Sequence, residues 1–261
     1  MSTMSCLQVL CSELEIPSSS LKLCNRLGSG SHGQTFVVQY NGQLYCAKIY
    51  KEILNMAQEV KMLKATESCS YSPNLIGICS SLMLVVMDLA PGQTLQSLLR
   101  SRPCKLYIHR VMLALCQAIE SLHACQVIHN DLKFDNIMVS EDNWDPRITL
   151  IDFGFATFRH NSPYAHISPE VMASYRHVSP KLASGGKCDY NTDNYSFGVL
   201  LRAVSSDTKC PLFSVLADIL TKKKGVMYSL VKLHAYMKEN NCDSCRESCW
   251  CAQCISGGVM C

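Results

Sequence analysis

The chain has 261 residues, 48% of them hydrophobic and 17% charged, with a net charge of +3. That length supports one large core or two small lobes, and the composition suits a folded globule, not a disordered chain. So small a charge argues against nucleic acid or an anionic membrane as partner, and no apolar run approaches the roughly 18 residues that span a bilayer.

Residues 1–20 read as an N-terminal extension, which Ser18-Ser19-Ser20 separates from a strand over 21–27. Met1 to Leu10 lacks the basic flank and long apolar core of a secretory signal, so the expected location is intracellular, cytoplasmic or nuclear. Gly28-Ser29-Gly30-Ser31-His32-Gly33-Gln34-Thr35 comes next, and a second strand runs from Thr35 to Tyr40. Glycines accept positive φ and let backbone amides come close to phosphates. A glycine loop between two strands differs from a dinucleotide fingerprint, which opens a helix. Asn41-Gly42 signals a hairpin into the apolar strand 44–49. Lys48 in that strand would be costly to bury without an anion. Glu59 is the best partner, on a helix whose apolar face is Met56, Val60 and Leu63. Only 11 residues separate the two (59 − 48), so little chain is left for a connection. Glu52 is too near Lys48 to reach back from a separate helix.

Pro73 to Ile78 and the fully apolar run 82–87 read as a second strand pair, followed by Asp88-Leu89-Ala90 and then a turn and helix from Pro91. An amphipathic helix over about 105–127 carries Ile108, Val111, Met112, Leu115, Ile119 and Leu122 on one face. It closes in the loop His129-Asn130-Asp131-Leu132-Lys133-Phe134-Asp135-Asn136. Asp152-Phe153-Gly154 emerges from the end of a short β-type run, 148–151. Phosphoryl transfer depends on positioning and on neutralising the phosphoryl oxygens. Two carboxylates, a lysine and a carboxamide at this spacing supply both.

These motifs resemble the eukaryotic-type protein kinase family, serine/threonine branch, whose catalytic loop reads H-R-D-L-x-x-x-N and whose metal motif reads D-F-G. Asn130 replaces the arginine and Thr35 the valine that ends the glycine motif. The resemblance implies an α+β, two-lobed fold: a small β-rich lobe with one regulatory helix, residues 21–90 with the hinge, and a larger, mainly helical lobe, 91–261. It implies ATP and Mg²⁺ as cofactors and a protein substrate. Asp131 would be the catalytic base and Lys133 the lysine at the γ-phosphate, while Asn136 and Asp152 would hold the metal. Gly28, Ser29, Gly30, Ser31, His32, Gly33 and Thr35 would cover the phosphates, which Lys48, aligned by Glu59, would meet. Cys46, Met87 (the gatekeeper position), Asp88, Leu89 and Ala90 would surround adenine. His129, Phe153 and Leu63 would form an apolar column between the lobes, and His123 would be structural.

Downstream, Ser168-Pro169-Glu170 resembles the A-P-E that ends the activation segment, and Arg246 is the available partner for Glu170. Thr157, Ser162 and Tyr164 are candidate phosphate acceptors in that segment. Asn130 is uncharged and cannot pair with a phosphate there, which implies activity independent of such phosphorylation. Asp193-Asn194-Tyr195-Ser196-Phe197-Gly198 resembles D-x-W-S-x-G and opens a helix apolar nearly all round. Further helices are expected over 211–224, where Lys222-Lys223-Lys224 suits a helix C-terminus, and over 226–238.

Of 17 cysteines, six fall in the tail 242–261. Cys242-x-x-Cys245 and Cys251-x-x-Cys254 have zinc-ligand spacing, yet the short gap between the pairs and the competing Cys249 leave two readings, a zinc knot or packed thiols. Three functions stay open: an active serine/threonine kinase, an ATP-binding pseudokinase scaffold, or an atypical small-molecule kinase. Retention of every group that handles ATP and metal favours the first.

Overall fold

The structure is a computed structural model that describes residues 14–30, 33–222, 237 and 239. Strands β1 (Lys22–Ser29), β2 (Gly33–Tyr40), β3 (Gln43–Tyr50), β4 (Leu75–Cys79) and β5 (Leu84–Asp88) form one antiparallel sheet in the order β1-β2-β3-β5-β4. Asn41 and Gly42 both take positive φ (48° and 81°), as a tight hairpin with right-handed strand twist requires.

The period-two alternation of β3 gives the sheet two different faces. Ala47 and Ile49 pack outward with Val38, Cys79, Leu84 and Val86. Ile16 seals that outer layer. Its amide donates to the Ile78 carbonyl at 2.7 Å, and the Glu15 carboxylate accepts from the Ser80 amide and hydroxyl. Gly77 permits the approach, because a Cβ there would stand 2.5 Å from the Ile16 side chain. On the inner face Cys46, Lys48 and Tyr50 look toward helix α1 (Ile53–Ala65). This helix begins only three residues after β3 ends, which accounts for the short separation of Lys48 and Glu59. Its buried side includes Met56, Val60 and Leu63. Glu52 stands at the N-cap position without a side-chain capping bond and is exposed.

The second lobe starts with β6 (Gln93–Thr94) and α2 (Leu95–Arg100), where the Thr94 hydroxyl accepts from the Ser97 amide. Helix α3 (Lys105–Ala124) buries its whole apolar stripe. It stops short of the expected Val127. Gln126 turns left-handed (φ 63°), and Val127–Ile128 become β7, paired with β10 (Thr157–Phe158). Between these strands lies the hairpin of β8 (Ile137–Asp142) and β9 (Asp145–Leu150). Two single-turn helices, α4 (Pro169–Met172) and α5 (Pro180–Ala183), precede α6 (Tyr190–Thr208) and α7 (Pro211–Lys222). Helix α6 runs through the core, burying Phe197, Leu200, Leu201 and Val204. Gly198 lets α7 close on it: a Cβ there would meet that of Leu220 at 2.8 Å.

The result is the two-lobed α+β architecture expected. The nine described cysteines are free thiols, and only Cys24 is exposed. No described helix is long and apolar enough to cross a membrane. Ser31, His32, Lys223, Lys224, the helix expected over 226–238, Arg246 and the cysteine tail 242–261 lie outside the described residues, save Met237.

Candidate active site

Strand β3 delivers Lys48 into the cleft, and its ammonium is shared. Nζ lies 2.7 Å from Glu59 Oε2 and 2.7 Å from Asp152 Oδ1. Glu59 is almost fully buried. Its Oε2 also accepts from the Tyr50 hydroxyl at 2.6 Å, and its Oε1 accepts from the Phe153 amide at 3.2 Å. One carboxylate therefore joins β3, α1 and the Asp152-Phe153-Gly154 turn. Burial pulls the Lys48 ammonium toward neutrality, but Glu59 and then Asp152 outweigh it, so its pKa is raised and the lysine stays charged. Helix α1 is tied to the same turn by Gln58, whose Nε2 donates to the Ala156 carbonyl at 2.7 Å.

The catalytic-loop candidates converge on Asp131. Lys133 Nζ is 2.7 Å from its Oδ2, and Asn136 Nδ2 donates to the same oxygen at 2.8 Å and to the Asp131 carbonyl at 2.9 Å. Oδ1 receives His177 Nε2 at 2.6 Å. Burial pushes the Asp131 carboxyl up. The His177 hydrogen bond, followed by the charge of Lys133, more than reverses this and holds it below the usual carboxylate range. The loop itself hangs from α6, where Asp193 accepts from the amides of His129 and Asn130 at 2.8 Å each and pairs with His123 Nε2 at 2.9 Å. His129 meets the Phe153 ring at 5.2 Å, and its Nε2 reaches the Ile151 carbonyl. Leu63 and Phe153 belong to one core cluster.

Asn130 adopts φ 63°, a conformation that asparagine tolerates better than most residues. Its amide nitrogen donates to the carbonyls of Ile128 and Phe155, and its oxygen accepts from Thr192 Oγ1. The carboxamide is thus buried and satisfied on both sides where the family's arginine would carry a charge.

The glycine loop divides by role. A Cβ on Gly33 would fall 1.9 Å from the Ile49 carbonyl, so the sheet itself demands glycine there. At Gly28 and Gly30 a Cβ would meet no protein atom within 4 Å, which leaves room for phosphates. Gly30 N donates to Gly33 O at 2.9 Å and closes the turn, Ser29 ends β1, and Thr35 stands opposite Lys48. At the hinge, Cys46 stands opposite Met87 and Tyr45 opposite Asp88. Asp88 turns its carboxylate to the amide and side chain of Asn74, bracing the hinge from outside the cleft. Leu89 and Ala90 are half-buried. The Cys46 thiol is pushed up to about 11 by burial and then by Glu59.

The donor set fits a hard divalent cation, which takes one or two carboxylates and draws its other ligands from phosphates and water. Ile151 N donates to Asn136 O at 3.0 Å, which joins the chain at Asn136 to the residue preceding Asp152. Asp152 is partly open, at 36% side-chain exposure, and sits left-handed at φ 63°. With the Asn136 amide nitrogen committed to Asp131, an amide oxygen and a carboxylate remain as ligands. Among the described residues no three His, Cys, Asp or Glu gather as a metal cluster, and the candidate zinc ligands lie outside them.

The activation segment departs from what its motifs imply. Ser168-Pro169-Glu170 is exposed among the described residues, and Arg246, the partner expected for Glu170, lies outside them. The anchor lies eleven residues later. There Val178 and Ser179 are buried, Ser179 Oγ caps α5, Ser196 Oγ of α6 donates to the His177 carbonyl at 2.7 Å, and Lys181 pairs with Asp189. Tyr164 is no phosphate acceptor in this conformation. It is buried, stacked on Phe155, and donates its hydroxyl to the Asn130 carbonyl at 2.8 Å. Thr157 is buried in β10 and Ser162 half-buried. The motifs do not point to His177, Tyr50 or Gln58. Tyr50 was readable, since it shares a strand face with Lys48. His177 gave no local signal.

Residues 21–251 match the family model for the protein kinase domain. The chain is similar to a probable serine/threonine-protein kinase mkcF of Dictyostelium discoideum, at 29% identity over 71% of this chain and 28% of that protein. A RasGEF domain-containing serine/threonine-protein kinase X of the same organism is 32% identical over 75% of this chain and 21% of that protein. A probable serine/threonine-protein kinase CPE1738 of Clostridium perfringens (strain 13 / Type A) is 29% identical over 66% of this chain and 27% of that protein. The chain thus spans under a third of the length of these curated relatives. It belongs to the protein kinase family, on the serine/threonine branch, and a domain of this family uses ATP, a divalent cation and a protein substrate.

Proposed function

We propose that the chain transfers the γ-phosphoryl group of ATP to serine or threonine hydroxyls of proteins, with Mg²⁺, and without needing a phosphorylated activation segment. The observation that carries this reading is Lys48 joined at 2.7 Å to both Glu59 and Asp152, which sets the nucleotide-facing cation, the regulatory helix and the metal carboxylate in one arrangement. A pseudokinase scaffold would have no need to keep that arrangement.

In this reading Lys48 meets the α- and β-phosphates while Glu59 fixes its position. Asp152 and Asn136 are the residues that would hold Mg²⁺, which supplies charge neutralisation of the phosphate oxygens when bound. Asp131 orients the acceptor hydroxyl and takes its proton as the hydroxyl oxygen bonds to the γ-phosphorus, the bond from that phosphorus to the β,γ-bridging oxygen breaks and ADP leaves, while Lys133 offsets charge on the group in transfer. Asn130 supports the last element: the pocket that would need a phosphate to balance an arginine is filled by a neutral, fully bonded side chain.

The test is γ-phosphoryl transfer to peptide libraries with serine, threonine or tyrosine as acceptor, before and after treatment of the protein with phosphatase. Transfer to serine or threonine that survives phosphatase is expected. Transfer confined to tyrosine or to small molecules, or no binding of magnesium nucleotide, overturns the reading. Phosphoproteomics of cells expressing the wild type against Asp131→Ala would then identify the substrate.

A further inference from the structure

The Asp131 carboxylate has about four acceptor sites, two on each oxygen. Lys133 and Asn136 occupy those of Oδ2, and His177 takes one on Oδ1. Because the partner is a carboxylate, the His177 Nε2 carries the proton it shares. One site remains, on Oδ1, for an acceptor hydroxyl. We infer that His177 is a positioning residue for phosphoryl transfer: it fixes the rotation of the Asp131 carboxylate so that its single remaining acceptor site faces the incoming hydroxyl.

The supports of His177 make this a rigid contact. Both ends of the Asp131–His177 pair hang from neighbouring turns of α6. Asp193 and Thr192 hold the loop that bears Asp131, and Ser196, one turn on from Thr192, holds the His177 carbonyl. The buried residues Val178 and Ser179 follow His177 directly, and its ring packs against Tyr175 at 5.8 Å. The imidazole side chain is 16% exposed and the carboxylate 2%, so water competes little for the bond. Without His177 the carboxylate would be held through Oδ2 alone, by Lys133 and Asn136, and Oδ1 could swing about that anchored oxygen.

This inference rests on the reading of Asp131 as the base, and the experiment separates the two. Steady-state peptide phosphorylation is measured for the wild type, Asp131→Asn, His177→Ala, His177→Gln and His177→Asn. The glutamine amide reaches as far as imidazole Nε2; the asparagine amide does not. His177→Ala and His177→Asn should lower kcat about 10²-fold, the effect of misplacing a reacting group by about 1 Å, and leave KM for ATP unchanged. His177→Gln should recover most of the loss, which a space-filling role would not explain. If His177→Ala does not fold, the Gln and Asn pair decides alone. Wild-type turnover in His177→Asn, or equal impairment of the Gln and Asn variants, overturns the inference. Full activity in Asp131→Asn instead overturns the assignment of the base.

Discussion

At the nucleotide end of the cleft one buried cation, Lys48, is shared by two carboxylates. At the acceptor end one buried carboxylate, Asp131, is shared by Lys133, His177 and Asn136. The two clusters are near mirror images in charge, and the difference fits their tasks. The first carries an excess of negative charge that a divalent cation can neutralise. The second carries an excess of donors, which keeps the carboxylate proposed as proton acceptor ionised inside a buried loop. Each responds in its own way to loss of its central group.

The largest effects should come from the two aspartates. Asp131→Asn removes the proposed proton acceptor but keeps the shape, so kcat should fall by about 10²–10⁴-fold with nucleotide affinity retained. Asp152→Ala should lower turnover by a similar or larger factor and also weaken binding of the magnesium nucleotide. Rapid-quench turnover combined with fluorescent-nucleotide titration distinguishes them. Equal losses of affinity in both variants would show that the two ends are not separate devices.

Next in size is the lysine. Lys48→Met leaves Glu59 and Asp152 facing each other with no cation between them, an uncompensated buried charge that costs more than the missing contact alone. Glu59→Gln leaves the lysine one partner. The two effects should therefore be non-additive in a double-mutant cycle read by KM for ATP and by thermal stability, with Lys48→Met/Glu59→Gln less impaired than the sum predicts. Additivity would mean that Glu59 does not act through Lys48.

The nucleotide end was much more legible in the sequence than the segment that completes the acceptor end. Lys48, Glu59 and Tyr50 lie on regular elements, where a period of two or 3.6 fixes which side chains share a face. Asp131, Lys133 and Asn136 sit within one short loop, so their spacing alone brings them together. His177 meets Asp131 from 46 residues further along the chain, out of a short irregular stretch between α4 and α5, and no periodicity encodes that contact. Two of the Ser-Pro pairs show the limit clearly. Ser168-Pro169 and Ser179-Pro180 both open one-turn helices, and the first is the one followed by glutamate. Only packing on α6 marks the second as the anchor, because Val178 and Ser179 are buried while residues 168–170 are exposed.

Asn130 links the acceptor end to that segment, and its replacement should show in stability before activity. Asn130→Ala strips the carbonyls of Ile128 and Phe155 of their side-chain donor in a buried site, a loss of about 1–3 kcal/mol. Asn130→Arg should be worse, since it places a charge where the structure offers carbonyls and a hydroxyl but no described carboxylate bonded to the side chain. Denaturant melts of both variants check the order. An arginine variant as stable as the wild type would indicate that the pocket still accepts the family's charge.

The smallest effect is chemical and reads the charge of the nucleotide end directly. Burial and then Glu59 push the Cys46 thiol up to about 11, so at neutral pH it is almost wholly protonated and should alkylate slowly. Its rate with iodoacetamide should climb only as pH approaches 11. Lys48 acts in the opposite direction, lowering the value, so the two substitutions should part. Glu59→Gln should shift the rate profile to lower pH and Lys48→Met to higher pH, with burial keeping both above an ordinary thiol. Peptide-resolved mass spectrometry isolates Cys46 from the exposed Cys24. If both variants moved the profile the same way, altered access and not charge would control Cys46, and the excess negative field assigned to this end would be absent.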